Sequence, residues 1–269
     1  MSSAASRRTV APFGRRLGAL EANRAVGAYR VLDVADPGGP APRPGQFYML
    51  AALGRWGGGE AERPFLPRAF SFLRAGDERL EFLLEDVGPG TRRLAELAPG
   101  DGLWLTGPLG IGFAPPQDGR APVLVGGGIG IVPLAGWQDE IGGPALLGFR
   151  SAEHAEAAAL LADAEVATDD GSVGHHGPVT ELLADALDAD PGAAVYACGP
   201  PAMLEAVRAL CADRGVPAQL AMESGMACGF GACFGCVVPT RHGYVRLCLD
   251  GPVLDAAELE TALVAGAGH

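Results

Sequence analysis

Four cysteines in the stretch CGFGACFGCVVPTRHGYVRLC, Cys228 to Cys248, constrain this chain more than any other feature. Their spacing is C-x4-C-x2-C, with eleven residues between the third thiol and the fourth. A disulfide framework, a zinc site or an iron-sulfur cluster would each need thiols there. Disulfides are disfavoured, because no export signal opens the chain and the cytosol keeps thiols reduced. Zinc sites of four cysteines are usually built from two C-x2-C knuckles, and only one such pair occurs here. The first three positions reproduce the spacing of plant-type [2Fe-2S] proteins, so spacing favours a cluster and leaves zinc as the alternative. Gly225, Gly229, Gly231 and Gly235 lie between and beside the thiols, where left-handed backbone would bring N–H groups toward sulfide. Cys198 and Cys211 fall outside the spacing.

The remaining sequence has two textures. Up to about residue 117, short alternating segments such as GQFYML, AFSFLRA, RLEFLLEDV and DGLWLTG are separated by Gly and Pro, with GTRRLAELAPG as one short helix. That pattern predicts an antiparallel barrel with an inserted helix over 21–117. Over 118–222 apolar runs (APVLVGG, ALLGF, AEVATDD, AVYACG) alternate with helical stretches (TELLADALDA, AMLEAVRALCADRG), which predicts a doubly wound parallel sheet. The piece from 223 to 269 holds the cysteines and ends in DAAELETALV, expected to be an amphipathic helix. It is too small to own a large core, so something besides burial must hold it. Residues 1–20, with four Arg and no acid, are expected to be a flexible extension.

A formal charge of −12 argues against nucleic-acid and anionic-membrane partners. Every basic residue apart from histidine is Arg, which excludes lysine Schiff bases and the P-loop lysine. No apolar run is long enough to span a bilayer, and a cytoplasmic protein is expected.

Several motifs carry chemistry. RAFS, Arg68 to Ser71, taken alone reads as a strand bearing one charge. In VGPGT, Gly88, Gly90 and Thr91 precede a helix, where N–H groups and the helix dipole suit a phosphate, although a capped turn explains the motif equally well. VLVGGGIGIVPL sets Gly126, Gly127, Gly128, Ile129 and Gly130 between a buried strand and a helix start at Pro133. It departs from G-x-G-x-x-G but still offers a phosphate cradle. Cys198, Gly199 and Pro200 mark a second strand end, at the edge where such sheets bind ligands. His175 with His176 is expected to be a solvated loop, since adjacent residues share no face. Asp169 with Asp170 reads as a strand-end turn.

In this order, these motifs resemble the ferredoxin-NADP reductase superfamily, which pairs a flavin-binding barrel with a nicotinamide-binding α/β domain. Within it, MACGFGACFGC followed by GYVRLCLDGPVLD is similar to the electron-transfer subunits of NAD-linked dihydroorotate dehydrogenases. The resemblance implies FAD held by Arg68, Ala69, Phe70, Ser71, Gly88, Gly90 and Thr91, with Leu83, Leu84 and Glu85 nearby. It implies NAD at Gly126–Gly130 and Cys198–Pro200, and a [2Fe-2S] cluster on Cys228, Cys233, Cys236 and Cys248. The implied partner is an FMN-containing catalytic subunit, in a heterotetramer with two copies of each chain. Phe70 stands where many relatives have Tyr. Arg150 and Ser151, past the second strand of the α/β domain, could accommodate the 2′-phosphate of NADP. Two other readings stay open: an NAD(P)H:ferredoxin or sulfide-type oxidoreductase of the same superfamily, and a non-catalytic module stabilised by zinc.

Overall fold

Alternation of inward and outward residues builds the first unit. The computed structural model describes residues 7–11, 14–57 and 64–264. β1 (Arg16–Val26) turns back through Gly27 into β2 (Tyr29–Ala35), and β3 (Phe47–Ala52), β4 (Arg68–Ser71), β5 (Arg74–Gly76), β6 (Arg79–Glu85) and β7 (Gly102–Leu109) follow. The order β4-β3-β7-β1-β2-β6-β5 is antiparallel throughout. Leu20, Leu32, Tyr48, Phe82 and Leu105 come from five of these strands into one interior, which Leu94 of α1 (Pro89–Ala95) also enters. This is the expected barrel with its inserted helix.

The amino-terminal boundary differs from expectation. β1 begins at Arg16, inside the stretch expected to be a flexible extension, and pairs with both β2 and β7. Its inward positions are Gly18 and Leu20. A Cβ on Gly18 would lie 2.9 Å from Val34 and 3.0 Å from Leu105, so the strand is signalled by a missing side chain rather than by a run of large ones. Ahead of it, Arg7 Nε donates to the Gly112 carbonyl (2.9 Å), and Thr9 N–H donates to Gln46 Oε1 (3.2 Å). Residues 1–6 and 12–13 lie outside the described residues.

The second unit is the doubly wound sheet. It runs β8 (Pro122–Gly127), α2 (Val132–Ile141), β9 (Ala145–Phe149), α3 (Ala152–Ala155), β10 (Ala164–Thr168), β11 (His175–His176), α4 (Val179–Ala189), β12 (Ala194–Cys198), α5 (Pro201–Arg214) and β13 (Ala218–Ala221). These strands lie parallel in the order β11-β10-β9-β8-β12-β13. The chain builds outward from β8 on one side and then returns to build β12 and β13 on the other. The switch point therefore falls between β8 and β12. His175 and His176 form a two-residue edge strand rather than a free loop, and His175 Nε2 lies 2.5 Å from Glu181 Oε2. Asp170 Oδ1 accepts from the Ser172 N–H at 3.0 Å, as a strand-end turn requires.

The last region is a hairpin, β14 (Val237–Thr240) with β15 (Gly243–Arg246), then α6 (Leu247–Asp250) and β16 (Val253–Asp255). β16 joins the large sheet antiparallel to β13, with Leu254 opposite Leu220. The expected helix over DAAELETALV is absent. A single 3-10 turn, Ala256–Glu258, is followed by non-helical chain through 264. Other groups have taken the bonds such a helix needs: Ala262 N–H donates to Glu205 Oε2 of α5 (2.5 Å), and the Glu258 carbonyl accepts from Arg241 N–H (2.8 Å). As expected, this region has no core of its own. Val238, Leu247 and Cys248 are buried with barrel residues Phe47 and Met49 and sheet residues Val195 and Leu220.

Candidate functional site

The cysteine loop springs from the carboxyl end of β13 and rests on the barrel. Gly229 (φ 79°) and Gly231 (φ 84°) take the left-handed backbone that glycine favours, whereas Gly225 and Gly235 do not. A Cβ on Gly229 would lie 2.6 Å from Met49 Cγ, so the loop can lie flat on β3 only with glycine there. The thiols fall into two pairs. Cys236 Sγ is 3.2 Å from Cys248 Sγ, and Cys228 interacts with the Cys233 side chain.

Among the loop's backbone groups, the Gly235 N–H donates to the Cys233 sulfur at 3.4 Å, and the N–H groups of Cys233, Phe230 and Ala232 favour the thiolate of Cys228. Burial pushes the Cys228 thiol up, but those N–H groups and the Cys233 side chain more than reverse it, to about 7. Burial and the neighbouring Cys236 push Cys248 up to about 12. Among the described residues, no three Cys, His, Asp or Glu side chains gather as a single metal ion would need. Two thiol pairs lined by N–H donors fit a two-iron cluster, with two sulfurs for each iron and hydrogen bonds to sulfur.

The two barrel motifs meet although Arg68 and Gly90 are distant in the chain. A Cβ on Gly90 would lie 2.5 Å from Arg68 Nε, so glycine is what lets the guanidinium lie over the turn. The Thr91 hydroxyl serves that turn from within. It accepts from the N–H groups of Val87 (2.9 Å) and Gly88 (3.0 Å) and donates to the Gly88 carbonyl (3.0 Å). What the turn can offer an anion is therefore the first-turn N–H groups of Gly90 and Thr91, with Arg68 above them. Arg68 also faces the ring of Trp56 at 6.0 Å, and Trp56 Nε1 is buried with no hydrogen-bond partner among the described residues. This orphaned donor beside Arg68 had no sequence signal beyond a tryptophan in a glycine-rich loop. Phe70 and Ser71 are half-buried on β4 and Ala69 is exposed. Leu83 and Leu84 are fully buried, so their side chains belong to packing and only their backbone can serve a ligand. Glu85 turns to the other domain and pairs with Arg150.

The two glycine turns of the sheet also meet, at the switch point. Cys198 stands opposite Gly126 in the parallel register. A Cβ on Gly130 would strike the Cys198 carbonyl and lie 2.6 Å from Gly199 Cα, and one on Gly199 would lie 3.0 Å from the Gly127 nitrogen. Gly127 packs in turn on Pro200, at 2.8 Å by the same measure. The missing side chains bring backbone to backbone and leave a floor of main-chain groups at the carboxyl edge, where such sheets bind dinucleotides. Ile129 projects from it, 38% exposed. Burial and the nearby Glu223 carboxylate push the Cys198 thiol up to about 12, so a neutral thiol borders the site. Two further residues lie at this junction without having been expected. Tyr29 approaches Gly128 from the barrel, and Ser224, just past β13, has a buried hydroxyl with no hydrogen-bond partner among the described residues.

The three places share elements. Met49 touches Gly229 with its side chain and pairs through β3 with Ala69 of β4. The cysteine loop leaves β13, which lies beside β12 and Cys198. Tyr29, Leu73 and Leu83 of the barrel are buried with Ile131, Leu134 and Trp137 of the sheet domain, and Arg74 Nε pairs with Asp139 Oδ2 at 2.7 Å across the same seam. Around the thiols Phe230, Phe234 and Tyr244 are 60%, 62% and 79% exposed.

Residues 223–260 match the family described as the iron-sulfur cluster binding domain of dihydroorotate dehydrogenase B. The dihydroorotate dehydrogenase B (NAD(+)) electron transfer subunit of Clostridium acetobutylicum is 36% identical over 222 residues, covering 81% of this chain and 86% of the relative. This chain belongs to that family of electron-transfer subunits. The corresponding subunit of Geobacillus thermodenitrificans is 38% identical, over 80% of this chain and 86% of the relative. In fold, the chain is similar to the NADH-dependent reduced ferredoxin-NADP oxidoreductase structure, with TM-score 0.76, 23% identity and coverage of 93% and 92% of the two chains. A ferredoxin reductase of carbazole 1,9a-dioxygenase superposes with TM-score 0.63 at 25% identity, over 76% of this chain and 66% of that one. The flavin-reductase fold and the cluster domain of the family go with FAD, a [2Fe-2S] cluster and NAD as substrate. Among the described residues, no helix is long and apolar enough to cross a membrane.

Proposed function

We infer that this chain joins a separate dihydroorotate-oxidising subunit to NAD+, as the electron-transfer subunit of a pyrimidine-synthesis oxidoreductase. What supports this reading is that three glycine-shaped places are joined through shared elements: Met49 of β3 touches Gly229 of the cysteine loop and pairs with Ala69 beside Arg68, and Tyr29 of the barrel approaches Gly128 of the sheet's glycine turn. When bound, FAD would supply exchange between single electrons and a hydride pair, and a [2Fe-2S] cluster a port for single electrons.

The chain's own residues do the holding. Arg68 offers a guanidinium, and Gly90 and Thr91 offer N–H groups, to the flavin phosphates. Ser71, the half-buried Phe70 and the backbone of Leu83, Leu84 and Glu85 would hold the flavin ring. Gly126–Gly130 and Cys198–Pro200 would offer main-chain groups to the pyrophosphate and nicotinamide. Cys228, Cys233, Cys236 and Cys248 would bind iron as thiolates. In this reading the barrel, including β1, serves FAD, residues 118–222 serve NAD, and the region from 223 serves the cluster.

The partner carries FMN, and two copies of each chain assemble in the cytoplasm as a heterotetramer. Phe230, Phe234 and Tyr244 supply the aromatic centre that a stable interface favours. Nothing in this chain resembles an orotate-binding barrel, so the isolated chain should reduce bound flavin with NADH but fail to reduce NAD+ with dihydroorotate. Adding the catalytic subunit should restore that activity. Turnover of dihydroorotate by the chain alone would overturn the division of labour, and a colourless zinc protein would overturn the cluster.

A further inference from the structure

We propose that a hollow between the barrel and α2 binds a small zwitterion, an α-amino acid with an apolar side chain, through Arg7 and Glu140. The hollow measures about 240 Å³ and is lined by Arg7 of the amino-terminal segment, Arg43 ahead of β3, Phe113 between β7 and β8, and Trp137 with Glu140 on α2. None of these residues belongs to the flavin cradle, the glycine turns or the cysteine loop. Trp137 and Glu140 lie in the carboxyl-terminal half of α2, whose other end follows the glycine turn. Sites for drug-sized ligands measure roughly 300–1,000 Å³, so the size suits an amino acid better than a nucleotide.

Arg7 is fixed in place by neutral groups alone. Its Nε donates to the Gly112 carbonyl (2.9 Å) and its Nη2 to Gln219 Oε1 (3.2 Å). Gln219 is held in turn by Ala114, whose N–H donates to Oε1 (2.9 Å) and whose carbonyl accepts from Nε2 (3.0 Å). Among the described residues, Arg7, Arg43 and Glu140 take part in no ion pair. Burial lowers the Arg7 guanidinium below its ordinary value although Asp255 and Glu258 favour its charge, and burial raises the Glu140 carboxyl against the pull of Arg43. Each group has lost water without full compensation by opposite charge. A simple anion would satisfy Arg7 and be repelled by Glu140, and a simple cation would do the reverse. One molecule carrying both charges answers both. Trp137 is 3% exposed, stacks on Phe113 with ring centroids 5.7 Å apart, and has Nε1 buried with no hydrogen-bond partner among the described residues. Together with Pro44, Pro115 and Ile141 these rings give the hollow apolar walls for a side chain.

The test uses the full chain loaded with FAD and cluster, titrated calorimetrically with three probes of one shape. L-leucine carries both charges, 4-methylpentanoate lacks the ammonium, and 3-methylbutylamine lacks the carboxylate. L-leucine should bind at least about tenfold more tightly than either analogue, the scale of one charge-assisted contact. Glu140→Gln, at an exposed position, should weaken L-leucine about tenfold and bring it level with 4-methylpentanoate. Arg7→Gln should bring it level with 3-methylbutylamine instead. No binding of L-leucine up to about 10 mM, equal affinity for L-leucine and 4-methylpentanoate in the unaltered chain, or an L-leucine affinity unmoved by Glu140→Gln would each overturn the proposal. If Arg7→Gln loosens the amino-terminal segment, the analogues and the Glu140 variant still decide.

Discussion

The glycine turn after β8 and the cysteine loop after β13 are both rich in glycine and leave one sheet at the same edge, yet they are held in different ways. In the first, Gly127, Gly130 and Gly199 pack so closely on the opposing turn that a single Cβ would collide with it. Its shape is complete before any dinucleotide arrives. In the second, Cys233, Phe230 and Phe234 are exposed, while Gly229, Gly231, Cys236 and Cys248 are buried. That loop would take its rigidity from ligation of the cluster, the usual solution where a small segment cannot bury enough surface. The comparison separates two uses of glycine: closing a packed floor, and letting backbone donors face sulfur.

The largest effect should come from breaking the ligated loop. Cys236→Ser removes one of the buried thiols, and iron-sulfur absorbance should fall by at least about tenfold while FAD stays bound, because the barrel does not depend on that thiol. Persistence of the cluster would remove Cys236 from the ligand set. Next, Gly130→Ala drives a methyl into the Cys198 carbonyl. Overpacking of this kind costs about 1–3 kcal/mol, which should slow NADH-dependent flavin reduction about 10- to 100-fold in stopped flow. Cluster absorbance should be unchanged, and a matching loss of cluster would mean that the two loops are not separately held.

A third, smaller effect belongs to the barrel. Arg68→Ala should weaken FAD about tenfold in equilibrium dialysis, as expected for one charge-assisted phosphate contact. Unaltered affinity would return the RAFS motif to a plain strand.

The smallest effect concerns the tail that ties the cysteine region to α5. Arg208 beside Glu205, opposed by burial and joined by Ala262 N–H and the Thr261 hydroxyl, holds the Glu205 carboxyl down at about 2. A folded value below the ordinary 4.5 means that its contribution is full above 4.5 and disappears as pH falls toward about 2. The group is largely solvent-screened, so the contribution is under about 1 kcal/mol. The protection factor of the Ala262 amide, corrected for intrinsic exchange, should drop across that window and should be insensitive to it in Glu205→Gln.

The difference in support also decides how much could be read from the sequence. Both glycine turns and the grouping of the four thiols were visible in the sequence as spacing, with a tight structural turn and a zinc site standing as the alternatives to a phosphate cradle and a cluster. The meeting of Arg68 with Gly90 and of Gly130 with Cys198 was visible only as motif order, since sequence holds no distances. β1 was hidden because its inward residue is Gly18 and its start is rich in arginine, which imitates an extension. The tail imitated a helix because its apolar spacing is helical, but Glu205 and Arg241 had taken the backbone partners. Trp56, Ser224 and the Glu85–Arg150 pair left no pattern to read. Each depends on a partner from another element.

The seat of Gly229 on Met49 bears on the order in which this protein is made. The cysteine region borrows its floor from β3 and its buried neighbours from the sheet, while Cys233 and the loop aromatics stay in water. The four thiols therefore come to their places only once the barrel and the sheet have folded. The socket offered to iron thus has walls that belong to the barrel and the sheet.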